Sequence, residues 1–155
     1  MVSWTGSLQR DNSPLTPVRG VQVEHLGAVQ FAIRARQHEI VSDQPVDSNG
    51  YDEGMTPPEL LLAALGSCAA YYAVDYLKRN RILPDGVNTR VTAEKVKAPF
   101  RLDNFRIEVN VPGEITPEHV KGLEEAVHRC LIHNTLLHPP KIDVAIEVAV
   151  PATSL

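Results

Sequence analysis

Two cysteines, Cys68 and Cys130, are the side chains of this 155-residue sequence best suited to covalent chemistry. Apolar residues stand three, four and seven positions from Cys68, which puts them on its face of a helix: Leu61, Ala64, Leu65, Tyr71 and Tyr72. Cys130 continues the apolar stripe of a second helical segment. Both thiols therefore face the core side, where two helices could meet. A cysteine there commonly only fills space, and the spacing alone does not separate that interpretation from a functional thiol.

The histidines do not predict a metal site. Successive intervals from His119 through His128 and His133 to His138 are 9, 5 and 5 residues. None is the four-residue interval that places two imidazoles on one helix face. His133 could lie near Cys130, although the pattern favours a surface or helix-end position. We expect no metal and no other cofactor.

Charge and composition argue against a nucleic-acid partner. The formal net charge is −4 and no lysine- or arginine-rich run occurs, whereas nucleic-acid binding requires a basic face. With 43% hydrophobic and 22% charged residues, the sequence can form a folded core. We expect a single domain over residues 1–155, in which residues 1–17 form a loose N-terminal arm.

No membrane span or export signal is expected. The longest uncharged stretch, residues 60–74, would cover only about 22 Å as a helix, less than a hydrocarbon core of about 30 Å. The first residues lack the basic and apolar segments of a signal peptide. These features favour a cytoplasmic protein whose cysteines are reduced.

Hydrophobic periodicity predicts an α+β fold in the order β-β-(β)-α-β-β-α-β. Thr56-Pro57-Pro58-Glu59 has the spacing of a capping box, so a long central helix is expected from Thr56 to about Asn80. A second helix is expected from Thr116 to the prolines at 139–140. Strands are expected at 21–25, 29–35, 39–41, 87–96, 105–111 and 142–150.

Two segments carry a family resemblance. The run GMTPPELLLAALGSC, ending at Cys68, resembles the central-helix signature of the OsmC/Ohr (organic hydroperoxide resistance) superfamily. The run AVHRCLIHNTL around Cys130 resembles the second-cysteine motif of that superfamily. The resemblance implies an OsmC-like fold with a long central helix, and an intertwined homodimer with two active sites at its interface.

The resemblance also implies thiol peroxidase chemistry. Cys68 would be the peroxidatic cysteine that reduces an organic hydroperoxide, and Cys130 the resolving cysteine that forms a disulfide with it. A small dithiol or a lipoylated protein would then reduce this disulfide. A pocket lined by Leu61, Leu65, Tyr71 and Tyr72 would favour substrates with a hydrocarbon tail.

A thiolate needs a nearby cation, which in peroxidase branches of the family is an arginine held by a glutamate. Glu59 matches that glutamate. It precedes Cys68 by nine residues, about half a turn out of phase and about 13 Å along the axis, so the two cannot meet within one chain. A role at Cys68 therefore requires Glu59 of the partner subunit. The competing interpretation is that Glu59 only completes the capping box.

The arginine is less clearly matched. The turn at residues 26–28 carries none, unlike the organic-hydroperoxide branch, which points to the OsmC-like branch. Arg36 is the preferred candidate and Arg34 the alternative; alternation puts both on the polar face of a strand, where they could be ordinary solvated side chains. Two other functions stay open: a small-ligand-binding protein with inert cysteines, and a redox sensor without efficient turnover.

Overall fold

A computed structural model describes residues 20–148. They fall into two compact units, an N-terminal unit up to Thr56 and a C-terminal unit from Pro57. The predicted arm at residues 1–17 and the end of the predicted strand at 142–150 lie outside the described residues. That one domain spans the whole chain stays a prediction.

The N-terminal unit is a three-stranded antiparallel sheet. Its strands are β1 (Gln22–Gly27), β2 (Gln30–Ala35) and β3 (His38–Ser42), in the order β1-β2-β3. Ala32, in the central strand, pairs with Glu24 on one side and Val41 on the other, and is buried. The three strands predicted from alternation are confirmed.

A buried carboxylate, that of Asp43, organises the segment after β3. It accepts hydrogen bonds from the main-chain N–H groups of Gln44 (2.7 Å), Tyr51 (3.0 Å) and Glu53 (3.2 Å), and from Gln30 Nε2 (3.3 Å). Burial alone would raise the pKa of Asp43, but these hydrogen bonds outweigh it and lower the pKa below its ordinary value. The segment at residues 43–54 is therefore a hydrogen-bonded structure, which includes a 3-10 turn at Val46–Ser48.

The C-terminal unit is built around α1 (Pro57–Arg79). This helix has the predicted limits to within one residue, with two prolines and Glu59 in its first turn and Lys78 and Arg79 in its last. By length and composition alone α1 could cross a membrane. It packs against β4 (Asn88–Lys97), α2 (Pro117–His128), α3 (Leu131–Leu137) and β5 (Phe100–Asn110).

Strands β4 and β5 form an antiparallel hairpin, and β5 begins five residues earlier than predicted. The pairing register shifts between Thr92 and Glu94, where β5 contains an extra residue near Asn104, whose φ is 51°. Such a bulge moves the side-chain alternation by one position. Alternation read from Phe105 onward therefore missed the first half of the strand.

The core of the C-terminal unit joins α1 to α2. Ala73 and Leu77 of α1 are buried with Leu123 of α2. Next to this cluster, Tyr76 Oη lies 3.0 Å from His119 Nδ1. Partly buried apolar residues complete it: Tyr76, Ile82, Val87, Val109, Val111, Ile115 and Val127.

The strand predicted at 142–150 is not formed within the described residues. Residues 141–148 have no regular secondary structure. The apolar side chains that gave the alternating pattern are all at least 81% exposed: Ile142, Val144, Ile146 and Val148. A strand is stable only when its backbone groups are paired with another strand, and this segment has no such pairing within residues 20–148.

Candidate active site

A disulfide joins Cys68 to Cys130, with a Cα–Cα distance of 5.8 Å. Cys68 lies in the middle of α1 and is half-buried, while Cys130 is fully buried. The Cα–Cα distance falls within the range usual for disulfides. Residues 62 positions apart in the sequence are therefore placed where their sulfur atoms can form and break one bond.

Cys130 lies between two helices, not within one as predicted. Its backbone is extended (φ −56°, ψ 126°), α2 ends before it and α3 begins after it. The Asn134 side chain donates to the carbonyl oxygens of His128 and Cys130, each at 3.1 Å. These hydrogen bonds satisfy carbonyl groups at the break between α2 and α3. The apolar periodicity continues across this break unchanged, so it did not reveal the break.

The Cys130 sulfur atom faces the first turn of α3. Cys130 is the N-cap residue of that helix, and its Sγ accepts a hydrogen bond of 3.4 Å from the main-chain N–H of His133. A sulfur atom takes the place that a serine or threonine oxygen usually occupies at this position. The helix start thus fixes the direction of the Cys130 side chain.

An apolar groove of about 1150 Å³ lies between β5 and the helices α2 and α3. Leu65 of α1, three residues before Cys68, is buried on its wall. The polar side chains on the wall include Arg101, Glu124 and His133. Apolar side chains supply most of the rest, among them Phe105, Ile107, Val109, Val120, Val127 and Leu136.

Of the four residues predicted to contact a hydrocarbon tail, only Leu65 lines this groove. Leu61 and Tyr72 are half-buried elsewhere on α1, and Tyr71 is 65% exposed. The rings of Tyr71 and Tyr72 meet edge to face, with centroids 5.3 Å apart. Their roles in binding stay predictions.

Glu59 is exposed in the first turn of α1, on the same unbroken helix as Cys68. The nine-residue separation thus corresponds to about 13 Å along the helix axis, too far for Glu59 to contact Cys68 of the same chain. Whether it acts across a subunit interface stays a prediction.

Alternation predicted that Arg36 lies on the polar face of a strand, and this prediction is wrong. It occupies the turn between β2 and β3, exposed, with φ 57°. The alternative, Arg34, is in β2 and forms ion pairs with Glu24 of β1 and Glu39 of β3. Its guanidinium group is therefore already engaged by two carboxylates. Arg36 as the thiolate-stabilising residue stays a prediction.

The groove wall carries two histidines, His128 at the end of α2 and His133, for which the sequence favoured a surface or helix-end position. The rings of His128 and His133 have centroids 5.1 Å apart, and Nδ1 of His133 is buried with no hydrogen-bond partner. Burial, with a smaller effect from His128, lowers the pKa of His133. The three-residue interval from Cys130 to His133 was the signal that could have drawn attention to it.

Within residues 20–148 no three histidine, cysteine, aspartate or glutamate side chains are arranged so that they could hold a metal ion.

Comparison with protein-family models matches residues 50–145 to the family described as OsmC-like protein. The match covers more than half of the sequence, and the chain belongs to this family. The resemblance of the two cysteine motifs is thereby confirmed. A comparison with curated proteins gave no match.

Solved structures share the fold. An OsmC like protein from Mycoplasma pneumoniae is 18% identical with TM-score 0.70, covering 81% of this chain and 91% of that one. A Psychrobacter arcticus protein provisionally named for osmotic stress and detoxification is 22% identical with TM-score 0.70, covering 78% and 90%. The organic hydroperoxide resistance protein OhrB of Bacillus subtilis is 17% identical with TM-score 0.56, covering 76% and 89%. The α+β, OsmC-like fold is confirmed; the intertwined homodimer stays a prediction.

Proposed function

We propose that this protein is a thiol-dependent peroxidase that reduces organic hydroperoxides. The observation that carries the proposal is the bonded pair Cys68–Cys130, formed between the central helix and the α2–α3 junction. Family membership supports the same chemistry, because relatives with this fold include proteins named for organic hydroperoxide resistance.

The proposed reaction has two steps in the protein. The Cys68 thiolate attacks a peroxide oxygen, so that an S–O bond forms, the O–O bond breaks and the alcohol leaves after taking a proton. Cys130 then attacks the Cys68 sulfur, so that the S–S bond forms and the S–O bond breaks with release of water. A small dithiol or a lipoylated protein returns both thiols to the reduced state by disulfide exchange.

The groove supports an apolar substrate. It is lined mainly by hydrocarbon side chains, and Leu65 on its wall precedes Cys68 by one helical turn. A hydrocarbon tail bound there would gain about 25 cal/mol for each Å² removed from water, an advantage that hydrogen peroxide lacks. Leu61, Tyr71 and Tyr72 would extend the apolar surface along α1.

We further propose that the active form is a homodimer. Tyr71 on α1 and the alternating apolar side chains at 142–148 are strongly exposed in the single chain. Apolar surface of this extent is characteristic of protein interfaces. In such a dimer Glu59 of the partner subunit would orient Arg36, and the guanidinium group of Arg36 would stabilise the Cys68 thiolate. Analytical ultracentrifugation tests the assembly: a dimer is expected, and a monomer at micromolar concentration would contradict it.

A single-turnover experiment tests the chemistry. Reduced protein receives one equivalent of cumene hydroperoxide, and mass spectrometry follows free thiols and the disulfide. We expect rapid loss of both thiols and formation of the Cys68–Cys130 bond. Cys68→Ser should abolish peroxide consumption, whereas Cys130→Ser should permit one oxidation and block recycling. Equal consumption by the wild type and Cys68→Ser would refute the mechanism.

The groove also favours one alternative, binding of a small apolar ligand without turnover. Thiols that survive hydroperoxide for hours, together with tight binding of a fatty acid, would support this function. A disulfide that forms once but is not reduced by dithiols at a useful rate would instead indicate a redox sensor.

We propose a cytoplasmic location, where thiols are kept reduced, and cell fractionation tests it.

A further inference from the structure

His133 is an ionisable residue at the disulfide that the proposed reaction does not yet use. Its main-chain N–H contacts Cys130 Sγ at 3.4 Å, and its ring lines the groove. Nδ1 of the ring is buried and has no hydrogen-bond partner. An unpaired buried nitrogen is costly, so a native structure that keeps one calls for an explanation.

The start of α3 places His133 one helical turn after Cys130. His133 is the third residue of the helix, and helical side chains lean toward the N-terminus over the preceding turn. In a capping box the side chain at this position bonds the N–H of the N-cap residue. Here the N–H of Cys130 instead donates to the Val127 carbonyl oxygen, at 3.0 Å. The imidazole is therefore not engaged by the Cys130 N–H, and its Nδ1 has no hydrogen-bond partner.

Four other charged or ionisable side chains lie on the groove wall with this imidazole. From α2 come Glu124 and His128, and from β5 come Arg101 and Asp103, which form an ion pair with each other. Burial and the nearby His128 lower the pKa of His133 below its ordinary value. At neutral pH the ring can consequently accept a proton.

We propose that His133 is the general base for Cys130 during disulfide closure, a role that rests on the proposed peroxidase function. The S–H proton of Cys130 passes to the His133 ring as the sulfur lone pair forms the S–S bond to Cys68. The S–O bond of the Cys68 sulfenic acid breaks with its electrons on oxygen. The proton then passes from His133 to this oxygen, and water leaves. A buried thiol in apolar surroundings needs such a base, because only the thiolate attacks efficiently.

Rapid mixing with one equivalent of cumene hydroperoxide tests the proposal on the full chain between pH 5 and pH 8.5. Sulfenic acid on Cys68 is trapped with dimedone, and disulfide closure is timed by acid quench and mass spectrometry. His133→Asn keeps a polar group near the Nδ1 position but removes the base. His138→Asn, at the other end of α3, is the matched control.

We expect His133→Asn to form sulfenic acid at the wild-type rate and to close the disulfide about 100-fold more slowly at pH 7. In the wild type the closure rate should fall as the pH drops below about 6.5, whereas the variant should lose this inflection. His138→Asn should behave as the wild type. A flat wild-type profile would contradict the role of His133 even if the variant does not fold.

Three results would overturn the role of His133, and the first two are distinguishable from the third. Normal sulfenic acid formation with equal closure rates in wild type and His133→Asn, or a flat wild-type profile, would contradict the base alone. Absence of any oxidation at Cys68 in the wild type would remove the peroxidase function, and the proposal with it.

Discussion

Gly122 in α2 has no room for a side chain, because Tyr76 of α1 lies against it. A Cβ atom at this position would be 2.1 Å from Tyr76 Oη, 2.4 Å from Cζ and 2.6 Å from Cε2. Gly122→Ala must therefore displace the Tyr76 ring, whose hydroxyl group is hydrogen-bonded to His119 and whose ring packs on the Ala73–Leu77 core. We expect the substitution to lower the free energy of unfolding.

The size of the effect follows from three terms. Overpacking costs about 1–3 kcal/mol, and loss of the hydrogen bond between Tyr76 and His119 costs about 1 kcal/mol. Replacing a helical glycine by alanine returns about 1 kcal/mol. The net expectation is a destabilisation of about 1–3 kcal/mol, measured by urea unfolding at constant pH with circular dichroism.

A double-mutant cycle separates these terms. Tyr76→Leu removes all three of the atoms that a Cβ at Gly122 would meet, so in that background Gly122→Ala should stabilise by up to about 1 kcal/mol. Gly27→Ala, where a Cβ meets nothing within 4 Å, is the control for a glycine substitution without a clash. The same destabilisation by Gly122→Ala in both backgrounds would refute the steric argument.

Three further predictions concern single side chains. Because hydrogen bonds lower the pKa of Asp43, this carboxylate should stabilise the fold above its unfolded pKa of about 3.9, and the stabilisation should be lost as pH falls through its folded pKa. Asp43→Asn should unfold at a lower temperature at pH 7 in thermal melts, and its stability should depend less on pH in the acid range. Because the pKa of His133 is lowered, the unfolding free energy should decrease as pH falls below about 6.5, and urea titrations of His133→Asn should lose that slope. Asn134→Ala should cost about 1–2 kcal/mol in urea unfolding, since two carbonyl oxygens lose their side-chain donor; an unchanged midpoint would contradict its capping role.

The elements that the sequence predicted well are those whose signals are local. The limits of α1 follow from prolines and an acidic residue at its start and basic residues at its end. The hairpin strands of the N-terminal unit follow from simple alternation. The two cysteine motifs identified the family because they are long and in the expected order.

The parts that were predicted wrongly depend on contacts between distant residues. The bulge near Asn104 is stabilised across the hairpin, where the Asn104 side chain donates to Glu94 at 2.7 Å. Arg36 is a different case: the chain turns locally from β2 into β3 after Ala35, and no glycine or proline marks this turn. The Asp43 network joins groups from residues 30 to 53, which no local pattern reveals.

The interruption at Cys130 shows why periodicity could locate the thiol but not its environment. Val120, Leu123, Val127 and Cys130 keep helical spacing across the break, so the apolar pattern is the same for one helix or two. Within a continuous helix the Cys130 N–H would bond four residues back; here it bonds Val127, three residues back, and the chain then turns into extended backbone. This turn makes Cys130 an N-cap, brings the His133 N–H to its sulfur and joins the sulfur to Cys68. The break is therefore the feature that converts a buried apolar position into one half of a disulfide.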